Sequence, residues 1–166
     1  GLDADALAPG DYAATVEFNN TDTLYTDSRA VSLTVLPIPG IVDVKDSLPP
    51  EDDLAMPFGN TIVTIPRTGK GTVGNLSLEH DLIIHEVSVS GDTCFRAENL
   101  PEFPTVLGPQ EKFDFDVIYD PETLGAHAGS VIIRSNDANK PVLEMTLSGS
   151  AIPDVLEMTP DEPFAA

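Results

Sequence analysis

The chain has 166 residues, of which 28 are Asp or Glu and 8 are Lys or Arg, so its formal charge at pH 7 is −20. This balance excludes nucleic acid as the expected partner, because phosphate binding needs clustered Lys or Arg and here they are few and scattered. No apolar run approaches the roughly 20 residues of a membrane-spanning helix. The length leaves room for one domain, or one domain and part of a second, since domains commonly have about 100–150 residues.

The composition favours short strands joined by turns. The chain has 15 Pro, 12 Gly and no Trp, it is rich in Thr, Ser and Val, and its helix formers are not clustered. The single cysteine, Cys94, has no partner within the chain. Stability is therefore expected from sheet packing alone, unless this thiol pairs outside the chain.

Two alternating segments near the N terminus predict a β-hairpin. Residues 12–18 and 30–35 alternate apolar and polar side chains, and residues 19–29 form a polar connection between them. Pro37 and the Pro39-Gly40 pair stop the ladder, because proline donates no main-chain hydrogen bond. A domain boundary is therefore expected near residue 37. The inward row of the hairpin, a candidate assembly interface, is Tyr12, Val16, Phe18, Val31, Leu33 and Val35.

Short strands at regular spacing continue after residue 40, each bounded by Gly, Pro, Asn or Asp. The clearest is 113–119, in which alternate residues from Phe113 to Tyr119 are apolar and Asp114 and Asp116 lie opposite. Strands spaced by about 8–12 residues, with no convincing helix, predict an all-β antiparallel sandwich. The predicted strands are 41–44, 62–65, 71–76, 82–89, 94–98, 113–119, 130–134 and 142–147, the last two forming a closing hairpin.

The central region resembles a known family through its motifs. These are Pro-Phe-Gly-Asn at 57–60, His-Asp-Leu-Ile-Ile at 80–84, residues 107–121, and Ile-Arg-Ser-Asn-Asp followed by Leu-Ser-Gly within 129–149. They are similar to successive strands of the ASH (Hydin-type) and choice-of-anchor D family of large bacterial surface proteins and ciliary proteins. The resemblance covers roughly 41–152 and implies an immunoglobulin-like (Ig-like) module. Residues 71–77 depart from it, because they are shorter and contain more glycine than the family's strand.

Both ends resemble pieces of further modules. Leu7-Ala-Pro-Gly-Asp-Tyr12 is similar to the opening of the penultimate strand in bacterial extracellular Ig-like repeats, and residues 153–164 look like the first strand of another module. The expected organisation is the hairpin of an incomplete Ig-like module at 1–37, a complete ASH-like module at 38–152, and a linker or first strand at 153–166. The start at Gly1, without Met or signal peptide, indicates a mature product, a fragment or an excerpt.

Residues with catalytic chemistry do not form a recognisable site. The histidines His80, His85 and His127 lack metal-ligand spacing, and none lies beside a nucleophile in a Gly-x-Ser-x-Gly turn. His85 is expected at a sheet surface or core margin, in the same parity as Val87, and His127 in a loop. Cys94 is expected to be a small buried residue, with an exposed thiol as the alternative. The chain is therefore predicted not to be an enzyme and to need no cofactor.

A calcium ion is the one metal that the sequence leaves open. The acidic side chains near residue 50 offer oxygen ligands but lack the Asp-x-Asp-x-Asp-Gly spacing of a dedicated calcium loop, so a solvated acidic loop is the alternative. In the later turn at 136–139, the side chains are expected to cap their own backbone. The acidic cluster is Asp43, Asp46, Glu51, Asp52 and Asp53.

The predicted function follows from the hairpin, because an isolated hairpin with an apolar face needs a cover. Either earlier strands of the same polypeptide supply it, or a neighbour does so by strand addition, which can grow into fibres. Both hypotheses describe a structural protein of the extracellular space or cell surface, a stalk, array or filament of tandem Ig-like modules. Its partners would be neighbouring copies or tandem modules of the same protein. The alternative is an accessory module that binds carbohydrate or protein for a larger secreted adhesin or enzyme. A microtubule role, known for relatives, is disfavoured because microtubules are acidic.

Overall fold

A computed structural model describes residues 7–154 of the chain. These residues contain eleven β-strands and no helix. These residues therefore contain no helix that could cross a membrane. The chain divides into two compact units, Gly1–Ile38 and Pro39–Ala166. The segment predicted at 153–166 falls almost entirely outside the described residues. The strands are β1 Gly10–Asn19, β2 Thr26–Val35, β3 Val42–Asp46, β4 Ala55–Ile62, β5 Arg67–Asn75, β6 Leu82–Gly91, β7 Phe95–Glu98, β8 Thr105–Leu107, β9 Lys112–Tyr119, β10 Gly125–Ser135 and β11 Val142–Ile152.

The first unit is the predicted hairpin. Strands β1 and β2 pair antiparallel without a register break, from Gly10 opposite Val35 to Asn19 opposite Thr26. The turn is held by Asn20, whose main-chain N–H donates to the carbonyl of Tyr25 at 2.8 Å. Its side-chain oxygen also accepts main-chain N–H bonds from within the turn, at 2.9 and 3.0 Å. An Asn side chain that satisfies local backbone donors is a common way to stabilise such a connection.

The second unit is a two-sheet sandwich, which confirms the predicted fold class. One sheet has the strand order β4-β11-β10-β6-β8 and the other the order β3-β5-β9-β7. All neighbouring strands are antiparallel except β4 and β11, which run parallel, with Ala55 beside Thr146 and Ile62 beside Ile152. This sheet is therefore mixed, because its edge strand β4 runs parallel to its neighbour, and a parallel pair of this kind is common in larger sheets.

The core lies between these two sheets and is built from their inward-facing rows. On β9, Phe115, Val117 and Tyr119 are buried while Asp114 is exposed, as the alternation predicted. The ring of Tyr119 stacks on Phe95 with centroids 4.9 Å apart. The glycine-rich sequence of β5 is explained here, because a Cβ at Gly71 would collide with the ring of Phe115.

Several strand predictions need correction. A strand at 62–65 is wrong, because β4 ends at Ile62 and Thr64 has a left-handed φ of 71°. The alternation pattern predicted neither β4 nor β8, although the family resemblance placed a strand at 57–60, inside β4. Strand β4 contains Pro57, and β8 has only three residues, too few for a period of two to be recognised.

The parity predicted for His85 is also wrong. The register between β6 and β10 shifts, with Ile84 opposite Ser135 but Glu86 opposite Arg134. As a result Ile84 and Val87 are both buried, and His85 is exposed on the sheet surface. An extra residue at a β-bulge reverses the parity of everything that follows it, which no alternation pattern reveals.

Buried polar side chains tie the loops of the sandwich together. The amide of Asn75 donates to the carbonyls of His80 at 2.8 Å and Leu107 at 3.1 Å. Its oxygen accepts from the main-chain N–H groups of Ile41 at 3.1 Å and Ser77 at 3.0 Å. A single side chain thus satisfies donors and acceptors from several segments that would otherwise be unpaired.

The side chains of the 136–139 turn bond to distant segments as well as to their own backbone. As predicted, Asp137 accepts local main-chain bonds, from Asn139 at 2.8 Å and Lys140 at 3.2 Å. Its second oxygen, however, accepts from the N–H of Val42 at 2.9 Å, and Asn136 accepts from Ile83 at 2.8 Å. The prediction of purely local capping is therefore wrong, because this turn joins the closing hairpin to strands of both sheets.

Candidate assembly surface

The six residues of the candidate interface lie together on one face of the hairpin. The register places Tyr12 opposite Leu33 and Gly10 opposite Val35, so the apolar residues of both strands point to the same side. Four of them are exposed: Phe18 57%, Val31 49%, Val16 44% and Leu33 44%; Tyr12 and Val35 are half-buried. The opposite face carries small and polar residues and a hydrogen bond of 2.7 Å from Thr34 to Asp11. The hairpin therefore has one polar face and one mainly apolar face, which carries the ion pair of Arg29 with Asp27 near its turn end.

The start of β1 has a tyrosine corner. The hydroxyl of Tyr12 donates to the carbonyl of Ala8, four residues earlier, at 2.7 Å. In Ig-like sandwiches a tyrosine near the start of the penultimate strand makes this kind of bond. The bond of Tyr12 at the start of β1 is of the same kind. In an Ig-like sandwich the apolar face of the last two strands packs against the opposite sheet.

The longer edge strands of the sandwich, by contrast, carry features that hinder strand addition. On β3, alternate N–H groups point away from β5. That of Val42 is taken by Asp137, and that of Asp46 donates to the carbonyl of Glu51 at 2.9 Å. On β4, which contains a proline, the guanidinium of Arg67 donates to the carbonyl of Phe58 at 2.6 Å. Loops, charges and proline on an edge are recognised protections against edge-to-edge pairing.

The acidic cluster has one buried member. Asp46 is only 5% exposed, whereas Asp43 is half-buried and Glu51, Asp52 and Asp53 are exposed. Burial, together with the charges of Asp53 and Glu51, raises the pKa of Asp46 despite a hydrogen bond from the N–H of Leu48. Within residues 7–154, no three His, Cys, Asp or Glu side chains are gathered closely enough to hold a metal ion.

A polar cleft of about 440 Å³ lies at one end of the sandwich. His127 is positioned there between Tyr119, whose hydroxyl is 2.8 Å from Nδ1, and Thr123, whose hydroxyl is 3.1 Å from Nε2. Its predicted place in a loop is wrong, because His127 belongs to β10. Cys94 is half-buried, and burial and the charge of Asp92 raise the pKa of its thiol, which favours the neutral thiol over the thiolate.

Sequence patterns did not reveal this cleft. Its residues come from the β6–β7 turn, β7, the segment after β9 and the start of β10, and only the packing of the sheets brings them together. The cleft is lined by Asp92, Thr93, Cys94, Arg96, Asp120, Glu122, Thr123 and His127.

Comparison with known proteins supports the fold and no more. No family model matches the sequence, and no curated protein matches it. The chain is similar to a protein of unknown function from Porphyromonas gingivalis, with a TM-score of 0.55 and 17% identity over 87% of this chain and 67% of that one. It is more weakly similar to an ASH/PapD-like domain of human CEP192, with a TM-score of 0.48 and 14% identity over 75% of this chain and 94% of that domain. A C. elegans MSP family member gives a TM-score of 0.40 at 10% identity, covering 68% of this chain and 99% of that one. From its strand order, the second unit has an Ig-like β-sandwich fold.

Proposed function

We propose that the chain is a non-enzymatic structural unit of an extended extracellular or cell-surface assembly of Ig-like modules, such as a stalk, array or filament. The observation that carries the proposal is the exposed apolar face of the hairpin, which bears a tyrosine corner, in a chain whose sandwich protects its own long edges. The sandwich acts as a spacer, and the hairpin face is the place where the next module joins.

The occupant of this face is the opposite sheet of an Ig-like module. The tyrosine corner at the start of β1 supports placing the hairpin at the end of such a module, where the last two strands cover a sheet of the same fold. A two-stranded hairpin is marginal in water, and its four exposed apolar side chains gain most when a second sheet covers them. Assembly is therefore the process that stabilises the hairpin.

The charge fits an extracellular spacer. A net charge of −20 repels like molecules and limits non-specific contact. In the salt of an extracellular medium this repulsion is screened beyond about 8 Å, so short-range apolar contacts at the hairpin still form.

Two variants of β2 test the proposal with equal changes in charge. Leu33→Asp places a carboxylate on the apolar face, and Ser32→Asp places one on the polar face of the same strand. We expect sedimentation velocity to show concentration-dependent association for the wild-type chain and Ser32→Asp, and a monomer for Leu33→Asp. Association that is equal in all three chains would refute a role for this face.

A second arm identifies the source of the covering sheet. If the wild-type chain remains a monomer at all concentrations, the cover must come from a module of the same polypeptide. The intact mass of the native polypeptide under denaturing, reducing conditions would then be well above 17.6 kDa. A native mass near that value together with a monomeric chain would contradict both forms of the proposal.

The cleft beside His127 favours a second candidate, an accessory ligand-binding module. Its polar lining suits a small polar ligand better than an apolar one. A glycan and peptide array probed with the wild-type chain and with His127→Ala would test it. Binding that the substitution removes would favour this function over a purely structural one.

A further inference from the structure

The carboxyl group of Asp46 is buried and incompletely paired. It ends β3 with only 5% of its surface exposed, and Oδ1 accepts the N–H of Leu48 at 2.7 Å. Oδ2 is enclosed and has no hydrogen-bond partner among the described residues. An unpaired oxygen of a buried carboxylate is costly, so such a group calls for a bound ion, an ordered water or a proton.

Basic side chains of the protein do not supply the missing partner. Three lysines border the same cleft of about 300 Å³ as Asp46 and Glu51, yet among residues 7–154 none forms an ion pair with Asp46. The charges that act on the Asp46 carboxyl are instead those of two further carboxylates, Asp53 and Glu51, which add to the effect of burial in raising its pKa. A cation from solution would relieve both the unpaired oxygen and this repulsion. The three lysines are Lys45, Lys70, whose amine is 3.5 Å from Asp116, and Lys112.

The loop that follows Asp46 is held in place by main-chain bonds. The N–H of Asp46 donates to the carbonyl of Glu51, which closes the loop. The N–H of Ser47 donates to the carbonyl of Lys70 at 3.0 Å, and the N–H of Lys70 donates to the hydroxyl of Ser47 at 2.9 Å. The two acidic side chains at the ends of this loop are therefore carried on a frame fixed to β5.

We propose that this loop binds a calcium ion, with Asp46 Oδ2 and the carboxylate of Glu51 as its side-chain ligands. Calcium accepts six to eight oxygen ligands and takes main-chain carbonyls and water as well as carboxylates. A site with two carboxylates is compatible with the lack of a three-residue metal cluster within residues 7–154. Its affinity falls in the range of extracellular modules, with a Kd of about 10⁻⁴–10⁻³ M.

Calcium titration of the whole chain tests the site against a matched control. Asp46→Asn and Asp52→Asn remove the same charge from the same loop, but only Asp46 is buried. With ionic strength held constant by KCl, isothermal titration calorimetry should show one saturable site in the wild type and in Asp52→Asn. In Asp46→Asn the affinity should fall at least tenfold.

Thermal melting separates a calcium ligand from a merely buried acid. Without calcium, Asp46→Asn should melt at or above the wild-type temperature, because it removes a buried charge. Calcium should then raise the Tm of the wild type but leave that of Asp46→Asn unchanged.

Two results would overturn the proposal. One is an equal calcium response in all three chains, which means non-specific binding to an acidic protein. The other is that Asp46→Asn melts at a higher temperature than the wild type while the wild type shows no saturable calcium binding. That result would mean that a proton or a water molecule is the partner of the buried Asp46 oxygen. Glu51→Gln, a change at an exposed residue that should not impair folding, must also weaken binding severalfold.

Discussion

Replacing Asp137 by Asn should destabilise the sandwich far more than its small change in shape suggests. The carboxylate accepts the N–H of Val42 through Oδ2, and those of Asn139 and Lys140 through Oδ1. In the amide, one of these oxygens becomes an NH₂ group, which faces an N–H donor instead of accepting from it. If the Val42 donor is the one left unpaired, its burial costs about 1–3 kcal/mol. The bonds that remain go to a neutral acceptor and are weaker than those to a carboxylate. The expected loss is therefore about 2–4 kcal/mol of unfolding free energy.

Urea unfolding followed by far-ultraviolet circular dichroism at pH 7 would measure this loss. Asp52→Asn is the matched control, because Asp52 is exposed and makes no hydrogen bond to a described residue. Substitutions at such positions stay within about 0.5 kcal/mol of the wild type. If Asp137→Asn also stays within that range, Asp137 does not tie the closing hairpin to β3, and the reasoning is refuted.

Three further predictions concern pH, packing and the hairpin. Burial alone would raise the pKa of Asp137, but three main-chain donors and the charge of Lys140 lower this pKa below the ordinary 3.8. The carboxylate of Asp137 therefore stabilises the fold above pH 3.8, and this stabilisation is lost as the pH falls through its folded pKa. The raised pKa of Asp46 has the opposite effect: its contribution to the free energy of unfolding is full below pH 3.8 and is lost as the pH rises through its folded pKa. In calcium-free buffer, the stability of Asp46→Asn relative to the wild type should therefore rise toward neutral pH, while that of Asp137→Asn relative to the wild type should fall. Parallel pH profiles of the two variants would contradict both assignments. Gly71→Ala should lower the free energy of unfolding by about 1–3 kcal/mol in the same assay, because the new Cβ collides with a core ring. Gly74→Ala should be nearly neutral, because a Cβ there would lie 3.6 Å from the nearest side-chain atom, the Cβ of Lys112. Equal effects would argue against the packing described. Tyr12→Phe removes the bond to the carbonyl of Ala8 and should speed amide exchange in β1 of the associated chain, where the hairpin is covered; exchange that stays unchanged there would mean that the corner does not hold the strand.

The alternation of apolar and polar residues predicted the strands whose two faces differ in polarity. It failed where a proline, a bulge or pairing between distant segments determines the structure. Strand β9 and the two hairpins were predicted because each has a polar and an apolar side. Strand β4 was hidden by Pro57, which fits there because the strand lies at a sheet edge. The bulge at His85 and the cleft beside His127 depend on pairing between distant segments, which no local pattern encodes.

The burial of Asp46, in contrast, had a signal in the sequence. Asp46 shares parity with Val42 and Val44, both of which are buried, so the alternation of β3 already placed its side chain inward. The hydrogen bonds of Asn136 and Asp137 to segments more than fifty residues away had no such signal, because turn-forming residues usually cap their own backbone.

Hydrogen–deuterium exchange on the whole chain tests the central claim most directly, which is that the sandwich is complete and the hairpin needs a cover. At concentrations where sedimentation shows a monomer, we predict that amides of 112–119 and 125–135 are strongly protected while those of 10–35 exchange close to the unprotected rate. Protection of 10–35 should appear only when the chain associates or when a covering module is attached. A monomeric chain of 166 residues in which 10–35 is protected as well as 112–119 would contradict the account, because the hairpin would then be stable with its apolar face uncovered.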